Sequence, residues 1–385
     1  MQKKAIALTL SAGALLISTA TTGHAAGTPI QEWGTSYKSI GLVPTPVQSP
    51  AAPVQIDAAN HSDLVVMSDA TVWGWGATQV APKSMQLVQI QGLVNVIQRP
   101  VDGNMDFAAI EQPGSDPSCP TSSSVYTWGV NTEGSLGLGI SGNAKISVPK
   151  DVTTLDCRNV VDVAAAANHM VALTQSGQVY VWGGGGQDVL GDGHVTSSVL
   201  PVLNSYATAL TSGTSAGVLV TAGSSTGGML VNGQAYSWGN NKQDECGCNS
   251  TMTSIGTPTA VDQGALSFAW IDQGGDGGGN GHTLALTAAG AVYAWGMNSH
   301  GQLGQGTTVN SGVPLLVPGL PVITDVRAGG FHSLALDAAG NVWAWGGNTD
   351  GEIGNGSTVD VLSPILVLSG ATQISAGSEH SLALQ

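Results

Sequence analysis

The stretch that decides the fold reads His332-Ser-Leu-Ala-Leu336-Asp-Ala-Ala-Gly340-Asn-Val-Trp343-Ala-Trp345-Gly346. Apolar residues alternate on both sides of a turn that holds Gly340, which is typical of two antiparallel strands in a half-buried sheet. Trp343 and Trp345 are two residues apart, so they lie on the same face of the second strand. The stretch predicts a β-hairpin with one aromatic face.

The same hairpin recurs along the chain. His169 and His282 begin two further copies. A polar, glycine-rich loop follows most copies, and a proline comes later. We interpret this proline as the opening of the next blade, which makes the histidine strand third and the tryptophan strand fourth. Four short strands per repeat of roughly 50 residues predict a β-propeller blade. The repeat tryptophans are Trp75, Trp128, Trp182, Trp238, Trp295 and Trp345, in blades 1 to 6, and Trp33 in blade 7.

The two ends of the chain complement each other. The segment from His380 to Gln385 starts a copy of the hairpin and stops one strand before a Trp-Gly. The segment from Ile30 to Gly34 supplies a Trp-Gly strand with no hairpin before it. Joining them gives seven blades and leaves no free edge between the first and the last. The predicted fold is all-β, a seven-bladed β-propeller closed by the N-terminal strand, with a single domain over residues 26–385.

The histidine that opens each hairpin invites a metal hypothesis. Alignment to the tryptophans places Asp106 at this position in blade 2 and Ser225 in blade 4. Because each histidine belongs to a different blade, they cannot converge on one metal ion. We therefore expect hydrogen bonding here, and no metal or cofactor. The five histidines are His61, His169, His282, His332 and His380.

The first residues have the pattern of a secretory signal. Lys3 and Lys4 precede an apolar stretch that ends at Ile17, and small residues at 23 and 25 suit a signal peptidase. The apolar stretch is shorter than the roughly 20 residues that span a bilayer. We expect a signal peptide over residues 1–25, cleavage near Ala25, no membrane insertion afterwards, and a periplasmic or secreted protein.

The chain is acidic and poor in charge. Charged residues are 9% of the sequence, and the net charge is −15 at pH 7. An acidic surface repels phosphate backbones and anionic lipids, so nucleic acid and membranes are not expected partners. We expect a monomer that binds a protein.

The four cysteines of an exported chain predict disulfides. Strands in a blade alternate in direction. This places Cys119, in a hairpin of blade 2, and Cys157, before the second strand of blade 3, at the same face of neighbouring blades. Cys246 and Cys248 follow Trp238 and lie at the opposite face. We predict a Cys119–Cys157 bond, and either a local Cys246–Cys248 bond or two free thiols.

The loops after the tryptophans share one face with the loop at Gln273 to Gly281. That loop is an insertion relative to blade 6, so either it binds a partner or it is a neutral loop. The competing surface is the opposite face, around the insertion at Gln112 to Ser124. The acidic residues of the first face, our candidate binding residues, are Asp188, Asp192, Asp244, Glu245, Asp276, Asp350 and Glu352.

The repeat resembles that of the regulator of chromosome condensation family. The pattern from Ala328 through His332 to Gly356 is close to a full family repeat, and Ala376 begins another copy. The resemblance implies a seven-bladed propeller closed by its N-terminal strand. The best-known member is a chromatin-bound exchange factor for a small GTPase, and an exported bacterial relative binds and inhibits β-lactamases. The signal pattern and the acidic charge make this chain more similar to the second.

Catalytic motifs are missing from the sequence. There is no nucleophile elbow and no metalloprotease helix. The segment from Asn348 to Glu352 lacks the later glutamate of a calcium loop. We predict an exported, non-enzymatic propeller that binds a partner protein, with enzyme inhibition as one form of this role. The alternatives are a translocated exchange factor for a small GTPase and a carbohydrate-binding or carbohydrate-active propeller.

Overall fold

The computed structural model describes residues 30–35, 40–58, 62–76, 84–93, 95–97, 101–102, 106–114, 119–276 and 278–385. The predicted signal segment, His61 and residues 115–118 of the insertion at Gln112 to Ser124 lie outside the described residues.

The described residues form seven antiparallel sheets of four strands each. The innermost strand of each sheet contacts the innermost strands of both neighbouring sheets, so the blades form a closed circle. This confirms the predicted all-β, seven-bladed propeller.

From the inner to the outer strand, the blades are as follows: blade 1, β3 (Pro53–Ala58), β4 (Ser62–Met67), β5 (Val72–Gly76) and β6 (Ser84–Gln89); blade 2, β7 (Val101–Asp102), β8 (Asp106–Glu111), β9 (Ser124–Val130) and β10 (Lys145–Asp151); blade 3, β11 (Val160–Ala165), β12 (His169–Thr174), β13 (Val179–Gly183) and β14 (Ser198–Leu203); blade 4, β15 (Val218–Gly223), β16 (Thr226–Val231), β17 (Gln234–Asn240) and β18 (Ser254–Ala260); blade 5, β19 (Phe268–Gly275), β20 (Gly281–Thr287), β21 (Val292–Gly296) and β22 (Ser311–Leu316); blade 6, β23 (Ile323–Ala328), β24 (His332–Asp337), β25 (Val342–Gly346) and β26 (Val361–Leu368); blade 7, β27 (Gln373–Ala376), β28 (His380–Leu384), β1 (Ile30–Thr35) and β2 (Ile40–Val47). A short helix, α1 (Ser205–Leu210), and three 3-10 turns (Thr132–Gly134, Thr153–Leu155 and Gly186–Asp188) lie in the connections.

The proline strand is the outer strand of the preceding blade. Leu203 of β14 pairs with Tyr180 of β13, which carries the tryptophan. The predicted strand order is therefore wrong by one, and the histidine and tryptophan strands are second and third. An outer strand tolerates proline because it needs no N–H for a further neighbour, and proline also discourages pairing with another chain. The outer-strand prolines include Pro149, Pro201, Pro258, Pro314 and Pro364.

The N-terminal segment closes the ring, as predicted. Ile30 of β1 pairs with Leu384 of β28. However, the N-terminal segment supplies two strands of blade 7 and not one, because β2 pairs with β1 as the outer strand. Blade 7 thus follows the rule of the other blades, in which an outer strand comes after the tryptophan strand.

The repeat tryptophans are buried between blades. The indole of Trp345 donates a hydrogen bond to Gln302 O of the preceding blade at 2.8 Å, and the indole of Trp33 donates to Glu352 O at 2.7 Å. Gly354 has φ of 74° and lies against Trp33, so a Cβ at this position would come within 2.7 Å of the indole. Packing therefore requires the glycines of the polar loops, and in blades 2 to 6 the loop helps to bury the tryptophan of the next blade.

Candidate binding face

One face of the disc, which we call the upper face, carries two sets of loops. One set joins the first and second strands of each blade. The other, the tryptophan loops, joins the third and fourth strands. This confirms that the loop at Gln273 to Gly281 shares a face with the tryptophan loops. In blades 2 to 6 the tryptophan loops comprise residues 131–144, 184–197, 241–253, 297–310 and 347–360.

An asparagine holds most tryptophan loops from inside. Asn348 Oδ1 accepts a hydrogen bond from Ile353 N at 3.0 Å. Its Nδ2 donates to Ser357 O and to Val359 O, each at 3.0 Å. The asparagine of the segment from Asn348 to Glu352 is therefore used for hydrogen bonds within its own loop. No group of three or more metal-ligating side chains occurs among the described residues. Asn131, Asn241 and Asn298 make the equivalent bonds.

Two of the seven candidate acidic residues are buried. Glu352 Oε2 accepts a hydrogen bond from Asp350 N at 2.9 Å, and Glu245 Oε2 accepts one from Gln243 N at 2.8 Å. Burial raises the pKa of each carboxyl to about 7. Both side chains turn back into their own loops, where Gln302 of blade 5 does the same. Their assignment to an exposed acidic surface is therefore wrong, because the loop closes over the next blade and covers them.

The other five candidates are partly exposed on the upper face. They are Asp188, Asp192, Asp244, Asp276 and Asp350. Glu133, Asp360 and Glu379 lie in the same two sets of loops and are also accessible to solvent. The residues around the ring thus present carboxylates from blades 2 to 7.

The loop that carries Asp276 packs onto blade 4. Asp276 Oδ1 accepts a hydrogen bond from Gly278 N at 2.8 Å, and its Oδ2 accepts one from Asn280 Nδ2 at 2.9 Å. Asn240 Nδ2 of blade 4 donates to Gly279 O. The insertion is therefore held at both ends, and the half-exposed Asp276 is fixed in direction.

The histidine position lies opposite the glycine that follows the repeat tryptophan, as in the pair His332 and Gly346. By this register Thr226 occupies the position in blade 4 and Ser62 in blade 1. The assignments of Ser225 and His61 are wrong by one residue. The blade 4 hairpin has a tighter turn, so its histidine position lies one residue closer to the tryptophan than in the other hairpins. In blade 1 the usual spacing from the tryptophan leads to Ser62.

Buried hydrogen bonds, which we call histidine latches, join neighbouring blades. A latch joins the histidine position of one blade to the following residue of the next. His282 Nε2 lies 2.9 Å from Ser333 Oγ, and His332 Nε2 lies 2.9 Å from Ser381 Oγ. Each serine hydroxyl donates to a tryptophan-loop carbonyl at 2.8 Å. Each imidazole must therefore donate from Nε2.

The third latch joins blade 7 to blade 1. His380 Nε2 lies 2.6 Å from Asp63 Oδ1, and both side chains are fully buried. Burial opposes a charge on His380, but the carboxylate of Asp63 outweighs it and raises the pKa of the imidazole. In contrast, burial lowers the pKa of His282 to about 4 and that of His332 to about 3. The latches give His282, His332 and His380 a structural role. The sequence signal for the latches was a serine or an aspartate directly after the histidine position in blades 6, 7 and 1. This signal could be interpreted only when the closed ring had placed each of these residues beside the histidine of the preceding blade.

The cysteines pair in two disulfides, Cys119–Cys157 and Cys246–Cys248. The first joins the β8–β9 loop of blade 2 to the connection that enters β11 of blade 3. The second is local to the tryptophan loop of blade 4. The first pairing is the one that the alternation of strand directions predicts, and the second is one of the two alternatives that the sequence left open.

A closed ring of blades, with loops fixed from inside and carboxylates along one face, defines a β-propeller with one acidic face. The profile of the RCC1-like domain family matches residues 33–383, and the chain belongs to this family. None of the helices in the described residues has the length and apolarity that crossing a bilayer requires.

Several known proteins share parts of this sequence. The chain is 32% identical to the ultraviolet-B receptor UVR8 of Arabidopsis thaliana over 193 residues, which cover 50% of this chain and 41% of that protein. It is 31% identical to the human E3 ubiquitin-protein ligase HERC2 over 286 residues, which cover 71% of this chain and 5% of that protein. The matches span less than half of the length of these relatives.

Solved structures share the fold. Prp20p from Saccharomyces cerevisiae superimposes with a TM-score of 0.74 at 19% identity, over 92% of this chain and 90% of Prp20p. Human WBSCR16 superimposes with a TM-score of 0.76 at 20% identity, over 93% of this chain and 98% of WBSCR16. At this identity the likeness concerns the architecture.

Proposed function

We propose that the protein is exported and acts by binding a protein partner through its upper face, without catalysing a reaction. The charge of the upper face carries this proposal. Among the described residues, the two sets of loops in blades 2 to 7 hold ten carboxyl groups and one lysine, Lys242, with no arginine. Lys38 lies between β1 and β2 in the sequence, outside the described residues. Eight of the carboxyl groups are accessible to solvent. They are Glu133, Asp188, Asp192, Asp244, Asp276, Asp350, Asp360 and Glu379.

Export is supported by two features of the chain. The N-terminal residues have the charge and apolar pattern of a signal peptide. The Cys119–Cys157 disulfide joins two blades, and such bonds persist in oxidising compartments outside the cytosol.

A binding role without catalysis is supported by what the buried polar groups do. Glu245, Glu352 and the latch histidines form hydrogen bonds within or between blades. These groups stabilise the scaffold, which leaves the rigid, acidic upper face as the surface for a partner. Inhibition of an enzyme by such a surface is one form that the role takes.

The test measures association with a captured partner. The protein without residues 1–25 is used to capture partners from periplasm and culture medium. The on-rate of each captured protein is then measured as salt is raised and for a variant with Asp188→Lys, Asp244→Lys and Asp350→Lys. We expect association to slow in both cases, because long-range attraction steers the encounter. The control is Asp262→Lys, an exposed carboxylate on the opposite face. If the triple variant associates at an unchanged rate, the binding surface lies elsewhere on the protein.

Nucleotide exchange on a small GTPase is the second candidate, because the Prp20p structure is described with binding to Gsp1p and histones. Release of a labelled guanine nucleotide from small GTPases tests it directly. Carbohydrate binding is less well supported. The repeat tryptophans are buried between blades and offer no stacking surface, and a glycan array tests this alternative.

A further inference from the structure

Exposed apolar side chains stand in five successive tryptophan loops. In blades 4 to 6 they occupy the same place, 11 residues after the loop asparagine. In blades 2 and 3 they stand slightly earlier in the loop. Each lies near the end of its loop, shortly before the outer strand begins. Their exposed fractions run from 42% to 71%, although side chains of this kind are usually buried. We call this set the apolar arc, and its members are Ile140, Val195, Met252, Val309 and Val359.

The backbone beneath the arc is fixed in four of these loops. The asparagine that holds each loop donates its Nδ2 hydrogen bond to the carbonyl of the exposed apolar residue. Asn131 donates to Ile140 O at 2.7 Å, and Asn348 donates to Val359 O at 3.0 Å. A surface whose backbone is already ordered loses less conformational entropy when a partner binds. The arc is therefore prepared for contact. Asn241 and Asn298 hold Met252 and Val309 in the same way.

Carboxylates flank the arc. Asp360 directly follows Val359 and lies 2.8 Å from His300 Nδ1 of the preceding blade. Asp188 of blade 3 reaches the beginning of β18, close to Met252 in sequence, where it accepts a hydrogen bond from the first serine of that strand at 2.6 Å. Two members of the arc, Val359 and Met252, thus have a partly exposed carboxylate close by.

We propose that the apolar arc is the docking surface for a basic protein, whose apolar side chains pack on the arc and whose lysines and arginines face the flanking carboxylates. This inference rests on the proposed binding function and adds its surface and the chemistry of its partner. Charge selects this occupant. A second copy of the chain carries the same net charge of −15 and the same acidic rim, and anionic lipid is repelled as well.

The test uses two labelled synthetic peptides of equal positive charge, one an amphipathic helix of leucine and lysine, the other made of glycine and lysine. Each is titrated onto the protein without residues 1–25 by fluorescence anisotropy. The arc variant carries Ile140→Ser, Val195→Ser, Met252→Ser, Val309→Ser and Val359→Ser. The control variant carries Val148→Ser, Leu316→Ser and Val322→Ser, which are exposed apolar residues outside the arc. Because all of these side chains are exposed, both variants should fold, and thermal unfolding checks this.

We expect the leucine–lysine peptide to bind the protein, and its affinity to fall by about tenfold or more in the arc variant but not in the control. We expect the glycine–lysine peptide to bind more weakly. Equal affinity in the arc variant, or no binding of the leucine–lysine peptide, overturns the inference.

Other outcomes separate this inference from the proposed function. If only the control variant loses affinity, the protein still binds by a surface, but the arc is not that surface. Self-association in sedimentation that the arc variant abolishes would make a second copy the occupant. Binding to anionic vesicles that the arc variant abolishes would make a membrane the occupant. The captured partners and charge-reversal rates described above test the binding function independently of the arc.

Discussion

Blades 5, 6, 7 and 1 are joined differently from blades 2, 3 and 4. In the first group each junction has a histidine latch, and the latch serines also bind tryptophan-loop carbonyls. In the second group the same position holds Asp106, His169 and Thr226. A latch from Asp106 would end at Met170, and a latch from His169 would end at Gly227. Neither of these two residues has a polar side chain.

The missing latches leave polar groups buried. No carboxyl oxygen of Asp106 and no ring nitrogen of His169 has a well-formed hydrogen bond to the described residues. Burial raises the pKa of Asp106 to about 7 and lowers that of His169 to about 4, so both groups are pushed towards their neutral forms. A neutral group is less costly to bury without a partner than a charged one.

Other contacts stabilise the unlatched junctions. The Cys119–Cys157 disulfide joins blades 2 and 3 covalently. Between blades 4 and 5, the buried Gln273 fills the space over Gly228, where a Cβ would come within 2.8 Å of Gln273 Oε1. In blade 2 the repeat position has thus lost its polar partner at a junction where a disulfide joins the same two blades.

Removal of the closing strands should have the largest effect. Deleting residues 26–47 takes away β1 and β2, removes Trp33 from the core and exposes the edge of β28. We expect the free energy of unfolding to fall by several kcal/mol, and the free edge to promote oligomers. Thermal unfolding and size-exclusion chromatography measure both effects, and deletion of residues 26–29 alone is the control. A monomer with unchanged melting would show that the latched blades do not depend on closure.

The inter-blade disulfide should have the next largest effect. Its two cysteines are separated by 38 residues, and a loop of this length corresponds to about 4 kcal/mol of stabilisation. We expect the variant with Cys119→Ser and Cys157→Ser to lose an amount of this order in denaturant unfolding under oxidising conditions. The matched control is Cys246→Ser with Cys248→Ser, because a bond across two residues restricts the unfolded chain little. Equal losses in both variants would contradict the role of the first bond in joining blades 2 and 3.

Removing a serine that completes a latch should lower the free energy of unfolding more than removing a buried serine that takes part in no latch. Ser381→Ala leaves His332 Nε2 without an acceptor, which should cost about 2 kcal/mol. Ser237→Ala in blade 4 should be close to neutral, because Ser237 Oγ is buried without a hydrogen bond to the described residues and Ala294 fills the equivalent place in blade 5. Denaturant unfolding measures both, and similar losses would remove the distinction between the two groups of blades.

The smallest effect should depend on pH. Burial raises the pKa of Glu352 from 4.5 to about 7, so the folded protein holds this proton more tightly than the unfolded chain. The favourable contribution is present below the unfolded value and is lost as the pH rises through about 7. Glu352→Gln should therefore be more stable than the parent by roughly 1 kcal/mol near pH 8, with no advantage near pH 5.

The reciprocal variant tests the same cause in a neighbouring loop. Gln302 accepts a hydrogen bond from His300 N at 2.9 Å, just as Glu352 accepts one from Asp350 N at 2.9 Å. Gln302→Glu should lose stability near pH 8 and match the parent near pH 5. Unfolding curves that differ equally at both pH values would show that packing, and not the proton, causes the change.

The sequence by itself determined the propeller, its seven blades, its closure by the N-terminal segment and the faces on which its loops and cysteines lie. These features follow from a hairpin that alternates around a fixed tryptophan, because each copy fixes the register of the next. A strand of period two also fixes which residues share a face. The signal segment and the identity of a partner stay predictions.

Only the tertiary structure decided the features that need two blades at once. The proline strand has no local mark that assigns it to the preceding or the following sheet, so its place became clear only from its pairing with the tryptophan strand. Glu352 stands in a polar loop, where the sequence alone suggests a solvated carboxylate. The loop folds over Trp33, and this buries the side chain of Glu352. His332 and Ser381 are far apart in sequence and meet only when blades 6 and 7 pack together. Contacts of this kind depend on the closed ring and are absent from the pattern of any single repeat.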